Sequence, residues 1–291
     1  MKFSNIHTTV QKSFNQAFKV KKVDVSDISH FVSPVLNIDH FEMASPYFPP
    51  HPHAGFSAVT YMLEDSDSGF LNRDSLGDVS EINPGDIHWT LAGSGVIHEE
   101  VPKEAGKVAN GIQLFVKLEK EHEFMDPKSF HVQNSKAPRV NKGDAQIKIL
   151  SGEFEGEHAP FNLPSPFNFY DVQLQSSGKV DLEVEENFGG LLYILDGNVY
   201  INHLSEEKES EALKNEQFLS KGQYIGLSSE KSLEKIRIHS FQGARFLFLS
   251  GRRQSDQVYS AGPFALNDPL KIQDVQRRYQ SGQLGYLKAS F

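Results

Sequence analysis

Short apolar runs cut by glycine and proline constrain this chain more than any other feature. Residues 56–62, 87–92, 96–98 and 111–116 are rich in β-branched and aromatic side chains, which suit the pleated surface of a strand. Asn83-Pro84-Gly85-Asp86 fits a type II turn, with proline at its second position and glycine at its third. Gly93-Ser94-Gly95 breaks the following run. Strand patterns return over residues 145–150, 171–174, 191–195 and 245–249. Strands this short and closely spaced predict an all-β fold of antiparallel barrels or sandwiches. One helix signal stands near the end. Asn267 or Asp268 can cap, Pro269 suits the first helical position and Gly282 suits the stop. Ile272, Val275 and Tyr279 lie at helical spacing and are expected to face the core, with the helix closing a barrel edge.

The length of 291 residues suits two ordinary domains or one large β domain. Residues 119–143 are polar and carry Pro127 and Pro138, so they read as a linker. The expected division is an N-terminal barrel over residues 1–135 and a C-terminal one over 136–291, with the helix at about 269–281. An internal repeat supports this. Thr60-Tyr61-Met62-Leu63-Glu64-Asp65 resembles Leu192-Tyr193-Ile194-Leu195-Asp196-Gly197, which suggests one barrel fold used twice.

Two pairs of metal-capable side chains are spaced i, i+2: His51-Pro52-His53 and His98-Glu99-Glu100. Residues two apart on a strand point to one face. If the two strands face each other, His51, His53, His98 and Glu100 supply three imidazoles and a carboxylate to one point. That set suits a divalent first-row metal and leaves coordination positions open. The alternative is four polar residues on exposed strand ends. In the second copy the counterparts are Glu183 and Glu185, then Lys235 and Arg237. Lysine and arginine are poor ligands, so the second barrel is expected to be metal-free, with those cations paired to acidic neighbours. Of the 12 histidines, His7, His30, His40, His122, His131, His158, His203 and His239 stand singly and read as surface or locally hydrogen-bonded. His88, beside Trp89, is a minor candidate for lining a pocket.

Composition narrows the function classes. With 38% hydrophobic residues and 22 Phe the chain can build a sizeable core. A net charge of -9 argues against a phosphate-backbone binder. The absence of cysteine removes thiolate nucleophiles and cysteine-ligated clusters. The opening residues lack the apolar core of a signal peptide, and no run approaches the ~18 apolar residues of a membrane span. The expectation is a soluble, cytoplasmic monomer without nucleic-acid or membrane partners. The charged segment 204–215 reads as a solvated loop or exposed helix.

The segments His51-Pro52-His53-Ala54-Gly55-Phe56, Arg73-Asp74-Ser75-Leu76-Gly77, Asn83-Pro84-Gly85-Asp86 through His98-Glu99-Glu100, and Gly262-Pro263-Phe264-Ala265-Leu266-Asn267 together resemble the pirin family of the cupin superfamily. The resemblance implies a bicupin of two packed barrels. Its N-terminal barrel would hold one metal, usually iron, through His51, His53, His98 and Glu100; its C-terminal barrel would be degenerate. Nickel, manganese, cobalt and copper suit the same ligands. The resemblance implies a metal-dependent dioxygenase that opens flavonols such as quercetin, with Glu100 as general base. The alternative that it implies is a metal- or redox-dependent regulator that binds a transcription factor or metabolic enzyme. A storage-type or relic barrel is disfavoured by intact ligands at all four positions. The chain departs from the family pattern at Ala54, often Arg, at Ser57, often Glu, and at Asn72, commonly His. These departures spare the ligands and alter size and charge near the pocket mouth.

Overall fold

The computed structural model describes residues 1–204 and 216–291. Almost every regular element is an antiparallel strand, as the all-β reading expects. The chain forms two compact units. One comprises Val10–Asp24, Val35–Lys136 and Gln254–Phe291; the other comprises Met1–Thr9, Val25–Pro34 and Ala137–Arg253.

The units therefore do not divide the chain at a single point near residue 135. The N-terminal strand Lys2–Thr8 pairs with Gln223–Ser228, which places the first residues in the later unit. The terminal helix Pro269–Gln280 belongs to the earlier one. It buries Ile272 and Val275 in an apolar cluster with Ala54, Ile97, Phe264, Leu266 and Leu284. Asp268 caps this helix by accepting from the Leu270 N–H at 2.8 Å, and Pro269 opens it. Tyr279 is 40% exposed, so it only edges against Phe264 rather than entering the core. The stretch 119–143 is not a plain linker. It holds the strand Lys128–Val132, which pairs with Ile87–Leu91, and the strand Arg139–Lys142, which pairs with Ala145–Ser151.

In the earlier unit, one seven-stranded sheet runs in the order Lys128–Val132, Ile87–Leu91, Phe56–Met62, Ala109–Lys117, Val35–Met43, Phe18–Val23, Val10–Ser13. A four-stranded sheet runs His51–His53, Val96–Pro102, Phe70–Asp74, Val79–Ile82. The Phe56–Met62 and Ile87–Leu91 strands are buried at every residue, which suits their β-branched and aromatic side chains and takes Ser57, Thr60, His88 and Thr90 inside with them. The turn at residues 83–86 forms as its sequence dictates, with Gly85 at φ +86° and the Asp86 N–H donating to the Asn83 carbonyl at 2.9 Å.

The later unit is built around the long strand Phe188–Leu204, which pairs with Gln223–Ser228 and Ala244–Arg252 through its first half. Its register shifts between Ile194 and Asp196, and the second half pairs with Gln217–Ser220 and Glu234–His239. The two repeat segments agree in burial at their tyrosines: Tyr61 and Tyr193 are 0% and 1% exposed. Lys235 pairs with Glu183 at 2.7 Å, and Arg237 forms a two-pronged pair with Asp181 at 2.7 and 2.8 Å. Apart from Leu204, the charged segment 204–215 lies outside the described residues. No helix among the described residues is long and apolar enough to cross a membrane.

Candidate metal centre and aromatic cavity

The strands His51–His53 and Val96–Pro102 are neighbours in the four-stranded sheet, and their register sets His51 directly opposite His98. His53 follows His51 by two residues and shares its face. The three rings meet with centroids 4.9 Å apart for His51 and His53, 4.7 Å for His51 and His98, and 4.8 Å for His53 and His98. One donor atom from each lies within 4.8 Å of the others, and among the described residues no other histidine or carboxylate joins a group of this kind.

The environment keeps these imidazoles neutral. Burial depresses the His53 pKa to about 3, with the neighbouring His51 adding to the effect and the Pro263 carbonyl offsetting a little of it. Burial also pushes His98 well below the ordinary value, helped by His53 and His51, and lowers His51. The His51 ring approaches the Pro49 carbonyl through Nδ1 at 2.9 Å. An N–H there donates to that oxygen and leaves the Nε2 lone pair free for a cation. His98 Nδ1 is buried without a hydrogen-bond partner. Buried imidazoles without partners are costly, and a divalent cation between them would remove that cost. The donor set therefore fits the metal that the sequence anticipates.

Glu100 lies two residues beyond His98 on the same strand and is 8% exposed. It is not one of the side chains whose donor atoms converge within 4.8 Å. Its carboxylate instead receives the Thr60 hydroxyl, with Oγ1 2.7 and 2.9 Å from the two oxygens. Gln113 Oε1 lies 3.2 Å from the same hydroxyl, and Gln113 Nε2 donates to the Val59 carbonyl at 3.1 Å. Burial raises the Glu100 pKa to about 7, and the Thr60 bond offsets part of this. The carboxyl group is thus poised to hold or release a proton near neutrality. Thr60 and Gln113 escaped the sequence reading because nothing in a strand's alternation distinguishes an inward polar residue that holds a base from one that merely faces solvent.

A cavity of about 370 Å³ opens on this group. His51, His53, Glu100 and Gln113 line one part, and Phe18, Phe41, Phe48, Phe70 and Phe115 supply aromatic walls. His88 does not line it. It is 1% exposed, with both ring nitrogens lacking a hydrogen-bond partner and the Asp78 carboxylate 4.0 Å from Nε2. Asn72, at the position of a common family histidine, is fully buried and sits across from Glu100 in the sheet register. Ala54 is likewise buried, bridged to Phe264.

The Pirin family profile matches residues 8–116, and the profile of the pirin C-terminal cupin domain matches residues 169–285. The chain belongs to the pirin family. Pirin-like protein 2 of Arabidopsis thaliana is 28% identical over 265 residues, spanning 89% of this chain and 78% of the relative. The crystal structure of a quercetin 2,3-dioxygenase from Acinetobacter baumannii superposes with a TM-score of 0.81 at 24% identity, covering 98% of each chain. A bacterial pirin from Escherichia coli in complex with nickel(II) gives a TM-score of 0.65 at 13% identity, covering 87% of this chain and 100% of that one. These likenesses show the bicupin fold of the pirins.

The metal-free chain carries a pH signature. Buried histidines with depressed pKa values bind fewer protons folded than unfolded, so they stabilise above their ordinary pKa and cease to as pH falls. His53 falls to about 3 and His40 to about 4, and His88 is likewise lowered, each chiefly by burial. Stability is therefore expected to decline as pH drops from 6.5 toward 4, by roughly 3 kcal/mol for His40 alone. Glu100 acts oppositely, since its raised pKa favours the folded state as pH falls below about 7. One carboxyl does not offset several imidazoles. Calorimetry of chelator-treated protein should show a lower Tm at pH 5 than at pH 7, and an equal or higher one would contradict this account.

Proposed function

We propose that the chain is a metal-dependent dioxygenase that acts on planar aromatic enols of the flavonol type, quercetin among them. One observation carries this reading: three neutral imidazoles, those of His53 and His98 buried and that of His51 half-buried, converge at an aromatic-walled cavity beside a buried carboxylate. The quercetin 2,3-dioxygenase of the same fold supports the substrate class, and the nickel-bound pirin supports a divalent metal. Fe(II) is the metal of this reading, since imidazole suits iron, with Ni, Mn, Co and Cu as alternatives.

His51, His53 and His98 would hold the ion. When bound, such an ion supplies Lewis acidity toward a substrate hydroxyl and a route for electrons to dioxygen. Glu100 would take the enol proton on a carboxylate oxygen. Thr60 would fix that carboxylate by its hydroxyl, and Gln113 would sit behind Thr60. The phenylalanine walls would stack on the flat substrate and keep water from the reacting rings.

The test is aerobic incubation of iron-loaded protein with quercetin, following flavonol absorbance and oxygen uptake. Turnover is expected, and His98→Ala should lose both stoichiometric metal and turnover. Metal content unchanged in a His51→Ala, His53→Ala double variant would refute the site, and quercetin left intact by loaded protein would refute the flavonol reading.

A further inference from the structure

The cavity has a second polar end that the chemistry above does not use. Lys12, Lys22 and Asp39 line it together with Phe14, Phe18 and Val20. The hairpin formed by Val10–Ser13 and Phe18–Val23 is the last pair of strands in the seven-stranded sheet. Lys12 stands opposite Val20, and Lys22 stands opposite Asp39. Directly opposed residues in antiparallel strands share a face, so both lysines share the face that carries the phenylalanines. Lys21, on the other face, pairs with Glu42 at 3.5 Å.

Lys22 begins a polar row that crosses the sheet at one register level. Its members are Lys22, Asp39, Gln113, Thr60 and His88, each the direct partner of the next. Thr60 holds Glu100. Three strand spacings separate Lys22 from Thr60, about 14 Å between their backbones. That is the span of a flat molecule of two or three rings carrying a substituent at its far end. The aromatic wall lies beside this row.

The charges at this end do not cancel. Asp39 is held by Asn37 Nδ2 at 2.8 Å, and its Oδ1 has no hydrogen-bond partner. Lys12 and Lys22 act on it through space. Neither ammonium group forms a hydrogen bond or ion pair of its own among the described residues. Two cations against one carboxylate leave a net positive end opposite the imidazoles.

Resting on the dioxygenase reading, we propose that Lys12 and Lys22 are specificity-determining residues that receive an acidic group carried on the distal ring of the aromatic substrate. The preferred substrate class is an anionic aromatic enol, a carboxylate or sulfonate, rather than a neutral flavonol. The acid group seats on the two ammonium groups while the enol faces Glu100.

The experiment uses 3-hydroxyflavone, its 4′-carboxylate and the methyl ester of that carboxylate. Binding is titrated by ligand fluorescence to metal-free and to metal-loaded protein, and turnover of all three is followed. The native chain should bind the carboxylate at least tenfold more tightly than the ester, with the preference shrinking at high salt as exposed charges are screened. Lys12→Gln with Lys22→Gln should bring the ratio near one, and Lys12→Glu should reverse it in favour of a 4′-trimethylammonium analogue. Circular dichroism confirms that these edge-strand variants fold. Equal affinity for carboxylate and ester in the native chain, with 3-hydroxyflavone still turned over, would overturn this inference and leave the dioxygenase reading standing. No binding and no turnover of any of the three by loaded protein would overturn both.

Discussion

Glu100→Gln is expected to lower quercetin turnover by about 10²–10⁴-fold, the usual worth of a positioned general base, while metal content stays close to that of the native chain. The reasoning begins with where the carboxylate is held. Thr60 Oγ1 sits 2.7 and 2.9 Å from its two oxygens, and among the described residues it is the three histidines alone that bring donor atoms together. Glutamine keeps the size and can still accept from Thr60, so the burial of the side chain is preserved. What it loses is the ability to take a proton. A fall of this size corresponds to roughly 3–5 kcal/mol of barrier. Metal analysis and steady-state kinetics on one preparation decide the matter. Loss of turnover with metal retained supports a base. Parallel loss of metal and turnover would make Glu100 a fourth ligand, as the i, i+2 spacing by itself suggests. Turnover near the native level would remove Glu100 from the chemistry altogether.

That distinction marks how far the sequence reaches. Spacing along a strand dictates which side chains share a face, so His51, His53, His98 and Glu100 were all legible as one inward-facing set. It does not dictate how far each side chain leans along that face, and a single hydroxyl from another sheet, Thr60, decides where Glu100 rests. The turn at residues 83–86 and the cap at Asp268 were legible because proline, glycine and aspartate act locally. The membership of the terminal segments was not. Lys2–Thr8 joins a sheet more than two hundred residues away through backbone hydrogen bonds, and such bonds leave no trace in side-chain type. The stretch 119–143 misled for a related reason. Its strand Lys128–Val132 is an outer strand with mostly half-buried residues, so it lacks the apolar run that betrays a central strand. The lysines at the cavity's second end were hidden too. Lys22 follows Lys21 in sequence, and only pairing against Asp39 separates the inward cation from the outward one.

Gly55→Ala is expected to cost about 2–5 kcal/mol of stability and to weaken metal binding at the same time. Gly55 joins the His51–His53 strand to Phe56–Met62 at φ +86°, a conformation that costs an L side chain roughly 1–2 kcal/mol. Space is the larger obstacle. A Cβ at Gly55 would stand 2.1 Å from the Ala265 carbonyl oxygen and 2.7 Å from Leu266 Cγ. The backbone there is pinned: the Ala265 N–H donates to the Ala54 carbonyl at 3.2 Å and the Gly55 N–H donates to the Gly93 carbonyl at 2.9 Å. Neither side can retreat without breaking a hydrogen bond or opening the apolar cluster around Phe264 and Leu266, which adds roughly 1–3 kcal/mol of overpacking. His53 lies two residues upstream on a three-residue strand, so a displaced Gly55 drags an imidazole out of the triad. Gly77→Ala is the matched control, at φ +94° with nothing within 4 Å of the added carbon. It isolates the backbone term and should cost only about 1–2 kcal/mol with metal affinity intact. Denaturant titrations and metal competition with a chelator read both effects. Equal, small losses in the two variants would mean that the contact with Ala265 yields easily, and that the histidine triad does not depend on the close approach of these two chain segments.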